Sequence, residues 1–542
     1  MNMNLIIRNE LGKVVESTPA ERARAIIDSP HTRQILEQLS PQETYMIIKE
    51  TWGTDSQILM QYMTPEAICH CIDMDCWDND SLSIEALLDW LWEIYNSSLD
   101  SLQDALQTID LDIIILLYQS YIDVVQVVPT DENIAQLLDA GYESFDDIYF
   151  FIFQEEDEKV QLLKDMLSLI FTHYQSVYYS IMEGVIWELK SSTEESVYER
   201  RSLRLMEMGF PPPDEAMSIY QRIQPEKLLS AGISKEKTPV MDKDRGFLPA
   251  MYLDHLSRNR GLIISGLGES SSETRERFAI EMVYLANKVV MADYLPLNDI
   301  DELKRGIDKA SSIASLGLAA AMKANGRSAR EVLETTNAET LFSLGYNMVQ
   351  EQKSRLKGIL RRVEPSMIPE GLNDFVEGLM KKRPLFKKEE FSSLDQLEEV
   401  TGKIDRIEAL VSILDRIGWD RKDIDLRGTN LGSALDLEAV ILTSLAINSL
   451  ERETAFRPLE RAELCDFIAK ATALGPSGRR SLAPGFGQGL TAFLRTLDTS
   501  LEDDLIEAAA EILQKRFEEE LSGIADIERL DPRFITCFVV KL

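Results

Sequence analysis

The side chains best suited to chemistry crowd into one short stretch, Cys69-His70-Cys71 followed by Asp73, Asp75, Cys76, Asp78 and Asp80. Thiolate, imidazole and carboxylate are the groups that hold metal ions, so a metal centre is the first chemistry to weigh. Zinc sites want two separated ligand pairs on a loop or knuckle, such as Cys-x2-Cys with a distant second pair. Cys69 and Cys71 instead flank a single residue, and within a helix their side chains point about 200° apart. Cysteine as a small buried apolar residue is the favoured account of them. The carboxylates Asp73, Asp75, Asp78 and Asp80 are candidate cation ligands, but an EF-hand loop does not fit them. Counted from Asp73, Trp77 takes a ligand position and Ile84 the final acidic one; counted from Asp78, Leu82 fails and no glycine stands sixth. A helix–helix turn, with Asp and Ser capping its neighbours and Trp77 in the core, explains the same residues. What remains is loose association of Mg²⁺ or Ca²⁺ with an anionic surface.

Other chemistry is weakly marked. Gly266-Leu267-Gly268 stands before Ser270-Ser271-Ser272-Glu273, a capping box at a helix start, where anions bind well. No Lys-Ser/Thr follows and no Gly-x-Gly-x-x-Gly is completed. Gly485-Phe486-Gly487-Gln488-Gly489 is similar, with Arg479 and Arg480 nearby to suit an anion. The four histidines, His31, His70, His173 and His255, are dispersed, and none adjoins a nucleophile motif. No catalytic residue and no cofactor is therefore assigned. An enzyme would have to place its site near Asp73–Asp80 or in Gly475–Gly489.

The elements that must position these residues belong to a strongly anionic body. From Glu50 to Glu158 there are 25 carboxylates and no Lys or Arg, in a chain of net charge -35. Such a surface repels phosphate backbones and anionic membranes, and suits basic proteins or divalent cations as partners. Trp52, Trp77, Trp90 and Trp92 within the stretch mark it as folded. A chain of 542 residues exceeds what one core usually serves, so two or more domains are expected. Cys69, Cys71, Cys76, Cys465 and Cys537 do not make a disulfide framework. Met1 to Gly12 lacks a signal-like apolar run, and Leu111 to Val128 is interrupted by Asp112, Gln119, Asp123 and Gln126. A cytoplasmic protein without membrane insertion is the expectation.

The periodicity is helical. Ser40-Pro41 and Thr64-Pro65 each place a capping hydroxyl before a proline, the favoured way to open a helix, and looser copies stand at Ile223-Gln224-Pro225, Val363-Glu364-Pro365 and Leu530-Asp531-Pro532. The first two are spaced like a helical repeat. Ile84, Leu87, Leu88, Leu91, Trp92 and Tyr95 share a helix face, and Ile113 to Leu117 predicts a buried helix that Pro129 ends. A helical hairpin is expected from Asp131, turning near Gly141, then one helix from about Glu156 to Leu189. Ser191 to Ser196 reads as a polar lead-in to a further helix ending at Gly209, and Gly261 to Leu267 as a short strand or helix end. The expected organisation is a lead-in at 1–30, an acidic helical-repeat-like domain at 31–230, a linker at 231–246 and a helical C-terminal domain at 247–542. Lys353, Arg355, Lys357, Arg361, Arg362, Lys381, Lys382, Arg383, Lys387 and Lys388 form a basic island. It is either a solvated face or a surface for self-association with the anionic body.

Several of these blocks resemble a known family. Leu39-Ser-Pro-Gln-Glu-Thr-Tyr45 with Ile47-Ile48-Lys49-Glu50, Met63-Thr-Pro-Glu66, Asp73-Met-Asp-Cys-Trp77-Asp78 and Trp90 look like the opening blocks of the bacterial domain of unknown function 6178. Met208-Gly209-Phe210-Pro211 with Ala216 and Tyr220, then Leu442-Thr443 and Phe456-Arg457-Pro458-Leu459, look like its later blocks. That resemblance carries no catalytic residues. The proline-opened helices are also similar to the acidic N-terminal domain of bacterial magnesium transporters, which implies a right-handed superhelical array and sensitivity to divalent cations. The fold expected is all-α, an α-repeat-like array followed by a helical domain. The function expected is a protein-interaction scaffold or regulatory module, with a divalent-cation sensor or an enzyme of unrecognised class as the alternative.

Overall fold

The computed structural model describes residues 19–128, 134–154, 158–222, 261–417, 426–431, 435–453, 456–475, 479–497, 502–524 and 526–542. The linker expected at 231–246 lies outside the described residues, as do most of the lead-in, His255 and Pro225. The chain is all-α: helices carry it, and the strands among the described residues form three small antiparallel sheets. Two compact units emerge, Met1–Gly345 and Tyr346–Leu542. Among the described residues no helix is long and apolar enough to cross a membrane.

In the N-terminal unit the hydroxyl-capped starts form as their chemistry dictates. Ser40 caps Pro41–Glu50 through a reciprocal box with Glu43, and Thr64 caps Pro65–Asp75 by accepting from Ala67 N at 3.2 Å. Ser83 opens Ile84–Ser97, which buries Leu87, Leu88, Trp90 and Leu91. Leu111–Gln119 buries Ile113 through Tyr118, the all-apolar core helix.

Three expectations are corrected here. The core helix stops at Gln119 rather than running to Pro129, and Ile122–Gln126 is a strand. Its β-branched Ile122, Val124 and Val125 pair with the aromatic strand Tyr149–Phe153, a match that a pleated surface favours. The helical hairpin after Asp131 is instead the helix Ile134–Asp139, a turn at Gly141 (φ +91) and strands Glu143–Ser144 and Tyr149–Phe153. The long helix to Leu189 breaks at Tyr174 into Glu158–His173 and Gln175–Trp187. No Pro or Gly stands at that break; Tyr174 leaves helical geometry (φ -140°, ψ 55°), and its hydroxyl accepts from Gln103 Nε2 (2.9 Å) and Gln107 Nε2 (2.6 Å). Two smaller readings also shift, because Ser191 to Ser196 lies inside Lys190–Glu207 and Gly261–Glu269 is a helix.

The end of this unit contains a backbone-to-backbone helix crossing. Helices Ile300–Asn325 and Ala338–Leu360 approach at Gly317 and Gly345, where an added Cβ would lie 1.8 Å from Leu341 O and 2.2 Å from Ile313 O. Only glycine fits at either position.

The C-terminal unit packs Leu394–Ile417, Leu437–Glu451, Arg461–Ala471, Phe486–Leu497 and Asp503–Leu521. Phe467, Phe517 and Phe538 meet edge to face, and Phe486 stacks on Phe517 at 4.7 Å. The apolar C-terminal end is docked, with Phe538, Val539 and Val540 fully buried. Val539 N donates to Thr443 Oγ1 (2.9 Å), and Asn430 brackets Val540 N and Phe538 O (both 2.8 Å).

Candidate functional site

Asp73 and Asp75 close the helix Pro65–Asp75, and two residues of helix turn them to opposite sides. Asp73 is buried against Lys190–Glu207. Arg204 grips both its oxygens, Nε to Oδ2 at 2.6 Å and Nη2 to Oδ1 at 2.8 Å, and Arg201 Nε donates to its carbonyl at 2.8 Å. The remaining Arg204 nitrogen, Nη1, reaches Asp110 Oδ2 at 2.7 Å, and Arg200 pairs with Asp112. Burial raises the Asp73 carboxyl above its usual range, and the Arg204 hydrogen bonds pull against that shift. Arg201 lies 4.7 Å over the Trp77 ring, and Trp77 is itself buried.

Asp75 faces the other way and gathers three donors: Tyr45 OH at 2.8 Å, Lys49 Nζ at 2.9 Å and Trp90 Nε1 at 2.7 Å. Trp90 also packs edge-on against Trp52 at 4.8 Å. Burial, then the Asp75 charge, drives the Tyr45 phenol far above its usual range, so it is a donor at every working pH.

Asp78 and Asp80 do not join this arrangement. They lie exposed on the hairpin of Trp77–Asp78 and Ser81–Leu82, which turns at Asn79 (φ +56). Among the described residues no three His, Cys, Asp or Glu side chains are grouped to hold a metal ion. The cysteines are free thiols, Cys71 and Cys76 buried. Burial pushes Cys69 up to about 12 and holds Cys71 and Cys76 well above the usual thiol range. Protonated thiols are neither good ligands nor good nucleophiles.

Of the glycines in these two stretches Gly266 is a packing device, whereas a Cβ on Gly268, Gly485 or Gly489 would meet nothing within 4 Å. A Cβ on Gly266 would meet Leu333 Cδ1 at 2.8 Å and Ala329 Cβ at 2.9 Å, so this glycine lets two helices touch. Arg480, expected to suit an anion, donates to Ile524 O and Thr472 Oγ1, both at 3.0 Å. The basic island is partly neutralised within its own unit: Arg355 pairs with Asp405 and Glu408, Arg362 with Asp415, Arg383 with Glu390 and Lys387 with Glu399. Lys357, Arg361, Lys381, Lys382 and Lys388 are exposed.

One feature escaped the periodicity altogether. The sheet order is Ile122–Gln126, Tyr149–Phe153, Glu143–Ser144, which leaves Ile122–Gln126 at an edge. Val127 N donates to Ile148 O (2.8 Å) and Gln154 N to Tyr121 O (3.0 Å). The odd-numbered residues therefore face the neighbouring strand, and Val124 and Gln126 turn their N–H and C=O groups to the open side, while Ile122 is buried. Asp123 is exposed there, with Val125 at 37% and Val128 at 66% exposure. Its only signal in the sequence was the β-branched run, masked by the apolar helix before it.

The motif blocks interlock in space. Gln42 Nε2 donates to Met208 O at 2.9 Å, Tyr45 and Lys49 reach Asp75, and Tyr220 OH donates to Asp293 Oδ1 (2.8 Å) while accepting from Lys309 Nζ (2.7 Å). In the other unit Arg457 clamps Glu463 with two bonds, at 2.8 and 2.7 Å, and Leu459 N binds Val539 O at 2.9 Å. No curated protein and no solved structure matches the chain. A single family model spans residues 2–541 and so covers every one of these blocks. The chain belongs to the family of unknown function DUF6178.

Proposed function

We propose that the protein is an interaction scaffold whose N-terminal unit takes a basic, extended segment of another protein as an added strand on the open edge of Ile122–Gln126. The observation that carries this reading is the edge itself. Unpaired strand edges recruit other chains, and proteins commonly guard them with lysine. Here the edge lies in a stretch with no Lys or Arg from Glu50 to Glu158, and exposed Asp123 stands on the strand. An incoming strand would satisfy the outward backbone groups, and its basic side chains would be steered by the surrounding carboxylates. The pairing of Arg355, Arg362, Arg383 and Lys387 inside their own unit supports an external segment over the basic island as occupant.

The test is a synthetic peptide of alternating Lys and Val, followed by fluorescence anisotropy and by hydrogen exchange. The expected result is slowed exchange at Val124 and Gln126, with binding that weakens as salt rises. Val124→Pro removes an outward donor that an edge strand can spare, so it should fold and fail to bind. Binding that leaves those amides unprotected, or that survives Val124→Pro, sinks the reading. Dimerisation abolished by Lys→Glu changes at Lys381 and Lys382 would assign partner choice to the basic island instead.

A further inference from the structure

In the C-terminal unit, helices Leu437–Glu451, Arg461–Ala471 and Phe486–Leu497 border an open pocket of about 600 Å³. Leu445, Phe467, Leu490 and Phe493 line it and are buried; Phe486 is half-buried beside them, and Lys470 is the charged residue in the lining. That volume lies within the range of roughly 300–1,000 Å³ typical of small-molecule sites, which combine apolar walls with a few polar groups.

Its electrostatics run against the rest of the protein. The chain has 92 Asp and Glu residues, yet none lines this cavity. Among the described residues Lys470 has no carboxylate within ion-pair distance, unlike Arg457, Arg516 and Lys541, and like exposed Lys381, Lys382 and Lys388 of the basic island. Lys470 is solvent-exposed, and an ammonium in the lining of an aromatic-walled hollow suits a ligand with an apolar body and one negative end.

We propose that this cavity binds a small amphipathic anion, its hydrocarbon part against Phe467, Phe486 and Phe493 and its carboxylate on Lys470. Asn448, also in the lining, is a second polar group, its Nδ2 donating to Glu453 O at 3.2 Å. The site is independent of the strand edge, which belongs to the other unit.

Gly489 offers a clean way to close it. It lines the cavity, has helical backbone, and a Cβ built on it meets nothing within 4 Å. Gly489→Leu should therefore fill the space while leaving the helix sound, since leucine is the better helix former. The experiment is isothermal titration of the full chain with decanoate and with neutral decanol, together with thermal melts. Decanoate is expected to bind at one site and raise the melting temperature, with decanol weaker. Lys470→Met should lower decanoate affinity roughly tenfold or more and leave decanol unchanged, as loss of a charge-assisted bond requires. Gly489→Leu should abolish both while melting no lower than the parent. Absence of decanoate binding overturns the proposal, as does binding that survives Gly489→Leu. Equal loss of decanoate and decanol in Lys470→Met would overturn the anion assignment.

Discussion

Arg204 holds both carboxylate oxygens of Asp73 across 131 residues of sequence, at 2.6 and 2.8 Å, with the acid almost wholly buried and the base a quarter exposed. The pair ties the last turn of Pro65–Asp75 to Lys190–Glu207, and through Asp110 to the start of Leu111–Gln119. Its geometry consumes the oxygens that a cation would need.

Breaking the pair on one side should be costly. Arg204→Met leaves a buried carboxylate without its partner and is expected to cost about 3 kcal/mol or more. Asp73→Leu combined with Arg204→Met should recover most of that loss, because no charge then stays buried alone. Urea denaturation of the two single variants and the double gives the coupling directly. Additive losses would mean the pair is not an energetic unit.

Gly317→Ala should be among the most damaging small changes, because its Cβ would lie 1.8 Å from Leu341 O and must force the helices apart. Overpacking of this kind costs about 1–3 kcal/mol or more. Gly402→Ala, inside Leu394–Ile417 with nothing within 4 Å of the new Cβ, should instead stabilise by about 0.5–1 kcal/mol. Melting temperatures moving the same way in both variants would contradict the crossing.

Glu463 provides a pH-dependent contribution. The Arg457 hydrogen bonds hold its carboxyl down to about 2, against the pull of partial burial. A depressed carboxyl stabilises the fold fully above its ordinary pKa and loses that contribution as pH falls from the usual carboxylate range towards 2. Allowing for solvent screening, the effect is about 1 kcal/mol. The stability difference between the parent and Glu463→Gln should shrink over that acid window and stay constant above it. A difference that is flat throughout would show that the clamp does not perturb Glu463.

Divalent cations should act only through ionic strength. Tyr45, Lys49 and Trp90 occupy Asp75, and Arg204 occupies Asp73, which leaves Asp78 and Asp80 exposed on their hairpin. Melts in Mg²⁺ or Ca²⁺ are expected to match melts in NaCl of equal ionic strength. A saturable rise that disappears in Asp78→Asn with Asp80→Asn would restore the cation-sensor reading.

Much of the fold is written locally. Ser40, Thr64, Ser83 and Ser271 cap helices where the sequence places them, since a hydroxyl needs only the backbone three residues on. The buried helix at Ile113 to Tyr118 follows from composition alone, and so does the docked C-terminal Phe538 to Val540. The anionic character of Glu50–Glu158 needs no structure either, because charge is a property of the chain.

Tertiary structure decided what periodicity cannot encode. The break at Tyr174 comes with contacts to distant Gln103 and Gln107, and the strand Ile122–Gln126 pairs with an aromatic partner over twenty residues later. The requirement for glycine at Gly317 and Gly345 exists only because two backbones meet there. Asp73 and Asp75 stand in the sequence as candidate cation ligands beside the competing reading of a helix–helix turn, and only the structure shows each facing its own set of donors. The open strand edge and the cavity beside Lys470 are likewise products of packing. Capping, charge and apolar runs are short-range properties of the sequence, whereas partners, edges and hollows exist only once distant segments share a surface.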